Sequence, residues 1–258
     1  MWEPLLEIQL LTKTYFPARK QPLTAIKDLD FSVANGELVS LVGPSGCGKS
    51  TFINLACGIL RPTSGQILLH GKPITEPIKD VGIAFQAPIL LEWRTVLENV
   101  LLPIEIIERK VRPSHREHAA RLLELVGLAG FEDAYPVELS GGMQQRVSIC
   151  RALVHEPSFL LMDEPFGALD AMTRDRMNKE LLRIWGEAKK TLIFITHNIG
   201  EAVFLSDRVV VLTARPGTVR GIVTIDSPRP RDPTSADFKN IETHIRDLIG
   251  ELDEDGDQ

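Results

Sequence analysis

Absences bound this sequence before any motif does. No stretch among its 258 residues approaches the roughly 18 consecutive apolar residues of a membrane-spanning helix, so a role at a membrane has to come through a partner protein. The segment from Met1 to Leu11 lacks a basic region followed by an apolar stretch and a small-residue cleavage site, and no secretory signal is expected. Cationic residues are in deficit: 29 Lys and Arg against 35 Asp and Glu give a net charge of −6. That balance argues against a nucleic-acid partner, which usually needs a basic face. Cysteine is scarce, and Cys47, Cys57 and Cys150 form neither a CxxC pair nor a zinc-type spacing. Reduced thiols in a cytosolic protein are expected. No internal repeat is found.

What is present suits a soluble α/β fold with a sizeable core. Hydrophobic residues at 43% and charged residues at 25% are ordinary globular values, and the length fits one large domain, alone or carrying an inserted subdomain. Leu6, Ile8 and Leu10, then Leu29, Phe31 and Val33, alternate as strands do. After an Asn35-Gly36 turn signal, Leu38 to Val42 is apolar almost throughout, as expected of a strand buried on both faces. It runs into a glycine-rich loop and a predicted helix from Lys49 to Leu60.

From about residue 87 to 155 the pattern turns helical. Ser114 and Glu117 suggest a capping box, Ala119, Leu122, Leu123 and Val126 share one face, and Gly127 is placed to end that helix. This block is expected to be an inserted helical subdomain. Strand-like runs return at Phe159 to Met162, Leu192 to Ile195 and Val209 to Leu212, with helix near Asp175 to Ala188. Such alternation implies a parallel sheet with right-handed crossovers. Pro216-Gly217 marks a turn, Pro228, Pro230 and Pro233 a linker, and a last amphipathic helix is predicted from about Ser235 to Leu252, before an acidic ending expected to be disordered.

Gly43-Pro44-Ser45-Gly46-Cys47-Gly48-Lys49-Ser50 fits GxxxxGK[ST]. A triphosphate must be gripped at close range by many backbone N–H groups, and side chains would obstruct that approach. Glycines permit the tight loop, and the following helix offers its positive dipole end. Lys49 is expected to reach the β- and γ-phosphates and Ser50 to ligate Mg²⁺. The four fixed positions coincide by chance in about one chain in a hundred of this length, and the strand before and helix after reduce that further.

A second apolar strand, Phe159 to Met162, delivers Asp163 and Glu164 at its C-terminal end. Beside a phosphate loop, Asp163 would hold Mg²⁺ and Glu164 would polarise the attacking water as general base. Taken alone, such a pair serves equally well to cap the helix that follows.

With these residues the sequence resembles the ATP-binding cassette (ABC) transporter ATPases. Leu139-Ser140-Gly141-Gly142-Met143-Gln144-Gln145-Arg146 is similar to their signature motif, with Met143 where many members have glutamine. Tyr15 matches the aromatic that stacks on adenine, Gln86 the Q-loop glutamine, Ala168-Leu169-Asp170 the D-loop, and His197 the switch histidine. The resemblance runs from about Glu7 to about Ile225, with six motifs in order. It implies a P-loop ABC ATPase core with a mixed or parallel sheet, an N-terminal antiparallel β subdomain and the inserted helical one, spanning 1–226, and a C-terminal linker, helix and tail over 227–258. Three single residues keep a second reading: His197 as a structural histidine, Tyr15 as a core aromatic, Gln86 as a backbone hydrogen-bonder.

The resemblance further implies which residues do what. ATP would be bound by Tyr15, Gly43, Pro44, Ser45, Gly46, Cys47, Gly48, Lys49, Ser50, Thr51 and Gln86, with Glu164, His197 and Lys49 catalytic and Ser50, Gln86 and Asp163 around Mg²⁺. Ser140, Gly141, Gly142 and Met143 open a helix rich in exposed N–H donors and would close over the nucleotide of a second cassette in a head-to-tail homodimer, with Asp170 in the D-loop. The stretch Leu90 to Val100, together with Thr213-Ala214-Arg215-Pro216-Gly217, looks like the nitrate, sulfonate and taurine importer group. Trp93 lies where that family meets its membrane subunit, although it could also be an ordinary buried tryptophan. Transmembrane permease subunits and, indirectly, a solute-binding protein would be the partners, with the chain peripheral at the cytoplasmic face of the membrane. An ABC ATPase of the ribosome or DNA repair, which usually has two cassettes or a long coiled coil, and a P-loop kinase, which would have no use for Leu139 to Arg146, are the competing classes.

Overall fold

A computed structural model describes residues 4–18, 21–167, 169–188 and 190–250, with backbone alone at 187 and 188. Ala168 of the D-loop motif and the acidic ending lie outside the described residues. The chain forms two compact units, one comprising Met1–Ile78 with Lys189–Gln258 and the other Lys79–Ala188.

In the first unit, β1 (Pro4–Tyr15) and β2 (Leu23–Ala34) pair antiparallel, with Leu6 opposite Val33 and Ile8 opposite Phe31. These four side chains and Leu29 are buried, as alternation predicts. Leu10 departs from it. The β1 register shifts between Ile8 and Leu11, Leu10 takes φ +45° and stands 61% exposed, and Leu11 is buried in its place. A bulge of this kind puts one extra residue into a strand and so reverses the inside–outside order beyond it. β3 (Leu38–Val42) is buried at every position. α1 (Lys49–Ala56) stops four residues short of the predicted Leu60. Gly58 explains the stop: it takes φ +73° just past the Cys57 cap, the left-handed turn that ends helices. β4 (Ser64–Leu69) pairs antiparallel with β1 and β5 (Lys72–Pro73) with β4, giving a four-stranded antiparallel sheet in the order β2-β1-β4-β5.

The second unit joins a parallel pair, β6 (Val81–Ala84) and β7 (Phe159–Asp163), to helices. α2 (Val96–Glu108) opens with a Thr95–Glu98 capping box, and α3 (Pro113–Leu125) and α4 (Gly141–Leu153) pack with it, α4 also lying on β6. That last approach is backbone on backbone: a Cβ at Gly82 would sit 2.0 Å from the Ala152 carbonyl oxygen. The Ser114–Glu117 capping box does not form. α3 starts two residues earlier than that box would set it, at Pro113, whose fixed φ suits the first helical position. Arg112 is the N-cap, its amide donating to His115 Nδ1 at 3.3 Å. α3 ends where expected, with Gly127 at φ +69°. α5 (Ala171–Ala188) follows β7.

The chain then completes the first unit. β8 (Thr191–Ile195) and β9 (Arg208–Leu212) flank β3, parallel to it, with α6 (Ile199–Leu205) between them in sequence. β10 (Val219–Thr224) returns antiparallel to β9, and α7 (Ala236–Gly250) packs on α6, β9 and β10. No described helix is long and apolar enough to cross a membrane.

Candidate functional site

The first unit carries the phosphate loop. β3 delivers Gly43 and α1 begins at Lys49, so residues 43–48 form the turn between a buried strand and a helix N-terminus. Gly48 needs to be glycine twice over: its φ is +97°, and a Cβ would meet Ile26 Cγ1 at 2.8 Å and the Ala25 carbonyl oxygen at 2.9 Å. Gly46 also turns left-handed, at φ +79°. Cys47 is buried under the loop, where burial pushes its thiol pKa up. Ser45, Gly46 and Ser50 stay exposed. Lys49 Nζ folds over the loop and donates to the Gly43 carbonyl at 2.8 Å and the Pro44 carbonyl at 3.3 Å. The loop thus gathers exposed backbone, a helix N-terminus and one ammonium, which together attract an anion.

Tyr15 is brought to the same place. Its hydroxyl lies 3.3 Å from Thr51 Oγ1, one residue past Ser50, while Lys13 Nζ stands 5.4 Å from its ring centroid. The ring is half-buried rather than part of the core. His197, also in this unit, is exposed just beyond β8. The residues around it are fixed: Thr196 Oγ1 donates to Glu201 Oε2 at 2.7 Å, the Asn198 amide donates to Thr196 Oγ1 at 3.0 Å, and Asn198 Oδ1 accepts from the Glu201 amide at 3.1 Å as N-cap of α6.

The second unit carries the remaining motif residues. Asp163 is the last residue of β7 and Glu164 the first beyond it, both half-buried. Glu164 has φ +45°, a conformation that non-glycine residues adopt at a cost and that concentrates at functional turns. Its carbonyl accepts from the Gly167 amide at 3.0 Å. Asp170 is exposed and accepts from the Thr173 amide at 3.0 Å in the first turn of α5. Hydrogen bonds from the Thr173 hydroxyl and amide hold its carboxyl below the usual carboxylate range. Gln86 is exposed, two residues past β6. Ser140 is the N-cap of α4 and accepts from the Met143 amide at 3.3 Å, with Gly141 exposed and Gly142 half-buried behind it. Trp93 is 74% exposed, so it is no core tryptophan.

Tyr15, Gly43 to Thr51 and His197 therefore lie in one unit, and Gln86, Ser140 to Met143, Asp163, Glu164 and Asp170 in the other. Among the described residues, no group of three or more His, Cys, Asp or Glu gathers to hold a metal. Ser50, Gln86 and Asp163 offer a hydroxyl, an amide oxygen and one carboxylate. Each is a hard oxygen donor of the kind Mg²⁺ takes.

Sequence reading overlooked several residues that build these sites. Gly217, read as part of a turn and of the importer-group similarity, rests on the phosphate loop: a Cβ there would sit 2.0 Å from the Cys47 carbonyl oxygen. Arg215 of the same turn reaches Gly46, its Nη2 lying 3.0 Å from where a Cβ would be. Gln145 is buried and donates to the Phe85 carbonyl at 3.1 Å, tying α4 to the residue before Gln86. The proline–glycine pair and the second glutamine of the signature were visible signals, but nothing in sequence spacing says what either touches.

Comparison with known proteins identifies relatives over nearly the whole chain. Residues 26–167 match the ABC transporter family. An uncharacterized ABC transporter ATP-binding protein of Methanocaldococcus jannaschii is 47% identical over 245 residues, 95% of this chain and 91% of the relative. An aliphatic sulfonates import ATP-binding protein of Bacillus thuringiensis subsp. konkukian is 41% identical over 231 residues, 90% of each. A dimeric ATP-binding cassette solved in a post-hydrolysis state with ADP and Pi superposes with a TM-score of 0.76 at 31% identity, over 86% of this chain and 100% of that one.

Proposed function

This chain belongs to the ABC transporter family, and from that premise we propose that it is the ATP-hydrolysing subunit of an importer for a small solute such as nitrate, an alkanesulfonate or taurine. The observation that carries the reading is the pairing, in one chain, of a glycine-built phosphate loop closed by Lys49 with a second exposed helix start at Ser140. A single cassette has no use for both on one nucleotide's tail, whereas two copies arranged head to tail use each once. The relative that imports aliphatic sulfonates, the similarity over Leu90 to Val100 and the turn at Thr213 to Gly217 favour the importer group.

Tyr15 stacks on adenine, and the amides of residues 43–51 with Lys49 grip the phosphates. Ser50, Gln86 and Asp163 would hold Mg²⁺, which would supply charge neutralisation on the phosphates. Glu164 takes a proton from the attacking water, a role typically worth about 10²–10⁴ in rate, and His197 contacts the γ-phosphate. Ser140 to Met143 of a second copy close over the same nucleotide. Closure moves helices of transmembrane permease subunits, and hydrolysis with phosphate release reopens the pair. The chain sits on the cytoplasmic face of the membrane through those subunits, which a solute-binding protein supplies, and the exposed Trp93 serves that contact.

Glu164→Gln tests the core of this reading. The variant is expected to bind ATP, lose turnover and accumulate as an ATP-bound dimer in size-exclusion chromatography. Unchanged turnover removes Glu164 as the base. The solute is tested by uptake of nitrate, alkanesulfonate and taurine in a strain lacking this chain, and unimpaired uptake of all three rejects the substrate group.

A further inference from the structure

The linker and helix after residue 226 have no part in the reading above, yet they hold the element that follows His197. A helix leaves its last four carbonyls without internal partners. In α6 the first of these, on Ala202, accepts from the Ser206 amide at 3.0 Å. The other three are met by two arginines of the linker. Arg231 Nη1 donates to the Val203 carbonyl at 2.8 Å and the Phe204 carbonyl at 3.2 Å, and Arg229 Nε donates to the Leu205 carbonyl at 2.7 Å. Two cations thus stand at the negative end of the α6 dipole. Arg231 is only 7% exposed, and its remaining donors go to the Ser227 and Ile225 carbonyls at 3.0 and 3.2 Å. Burial, reinforced by the neighbouring Arg229, pushes its pKa down to about 10, which leaves it charged at neutral pH. Arg229 also pairs with Asp207 at 2.9 Å, and Asp207 accepts from the Leu38 amide at 2.9 Å, at the start of the strand that delivers the phosphate loop. At the other end of α6, Glu242 of α7 lies over Gly200, 2.9 Å from where a Cβ would be.

α6 is seven residues, about 10 Å long, and its N-cap Asn198 adjoins His197. With the Thr196–Glu201 hydrogen bond locking its first turn to the end of β8, the helix and the histidine move together. A helix this short is not stable by itself, so its placement depends on the packing of its buried residues against β3 and α7 and on what holds its far end. We propose that Arg229 and Arg231 are positioning residues for His197, and that the segment 227–250 is the clamp that sets where the histidine meets the γ-phosphate. This rests on His197 contacting the nucleotide, as proposed above.

The experiment compares kcat, KM for ATP and thermal unfolding in Arg231→Met, Arg231→Lys, Arg229→Gln and His197→Ala. Arg231→Met is expected to lower kcat per folded protein by about tenfold to a hundredfold, the range for a reacting group misplaced by up to 1 Å. KM should stay within about twofold, because the phosphate loop is untouched, and Arg231→Lys should recover part of the loss, since a cation at the helix end still meets the dipole. Should Arg231→Met not accumulate folded, Arg229→Gln, which removes the Leu205 cap and the Asp207 pair, carries the same expectation at smaller size. Wild-type kcat in the folded variants overturns the proposal, as does a fall in kcat matched by an equal change in KM or in folded fraction, the mark of a structural role only. His197→Ala separates the two failures. If it hydrolyses ATP normally, the role of the histidine falls and the clamp with it. If it is inactive while the arginine variants are not, only the clamp falls.

Discussion

Gly217→Ala makes the sharpest demand on the picture of the phosphate loop, because it acts on residues 43–50 from a turn 167 positions beyond Ser50. The added Cβ would lie 2.0 Å from the Cys47 carbonyl oxygen, whereas real Cβ contacts stay beyond 3.0 Å, so turn and loop must separate by about 1 Å. The backbone of Gly217 is not left-handed, and alanine can adopt it, so the effect is steric alone. The turn cannot simply withdraw. Gly217 donates to the Ala25 carbonyl and accepts from the Lys27 amide, both at 2.9 Å, and giving up those two bonds costs about 2 kcal/mol. For a chain of this size that is a fall in melting temperature of about 4–8 °C. If the loop yields instead, its amides leave the phosphates by a distance that, for catalytic groups, costs about a hundredfold. Titration with a fluorescent ATP analogue alongside thermal unfolding reads both routes. ATP affinity is expected to drop by about tenfold to a hundredfold, with the melting temperature lowered. Gly186→Ala is the internal control: nothing lies within 4 Å of its Cβ and it sits in α5, so it should leave affinity unchanged and add up to about 1 kcal/mol of stability. Wild-type affinity and melting temperature in Gly217→Ala would refute the contact between turn and loop.

Lys49→Ala removes the ammonium that folds over the loop, and two charge-assisted bonds to phosphate at about 1.5–3 kcal/mol each predict a loss of at least about a hundredfold in ATP affinity by calorimetry; retained affinity counts against the loop as the nucleotide site. Ser140→Arg puts a bulky cation at the exposed start of α4, so monomer binding of ATP should persist while hydrolysis stops, and normal turnover would sink the head-to-tail arrangement. Cys57 and Cys150 are buried, and burial pushes both thiols up to about 12. At pH 8 about one part in 10⁴ of each is thiolate, so neither should react with a disulfide reagent until the protein is unfolded in guanidinium. Rapid stoichiometric labelling of the native protein at either position would contradict the packing.

What could be read from sequence was whatever local chemistry over-determines. β3 came out residue for residue, because a strand buried on both faces reads as a nearly continuous apolar run, with Ser40 the one polar residue in it. The turn from β3 into α1 was legible because gripping phosphate with backbone amides needs glycines at set spacing, and Gly46 and Gly48 do turn left-handed there. Where local signals compete, reading by spacing failed for identifiable reasons. Leu10 keeps the alternating pattern, but a bulge set by pairing with β2 turns it outward. Ser114 and Glu117 have capping-box spacing, but Pro113 starts the helix two residues sooner.

Tertiary structure alone decided what each motif leans on. Gly217 against Cys47, Gln145 against Phe85, and Arg231 against the end of α6 join positions 60 to 170 residues apart, or a linker to a helix, through single backbone carbonyls. A carbonyl is present at every residue, so no side-chain pattern marks which one will be used. The sequence by itself determined that a nucleotide's phosphates could be held and which family holds them so; only folding chose the supports, because a contact made to backbone leaves no trace in the partner's residue type.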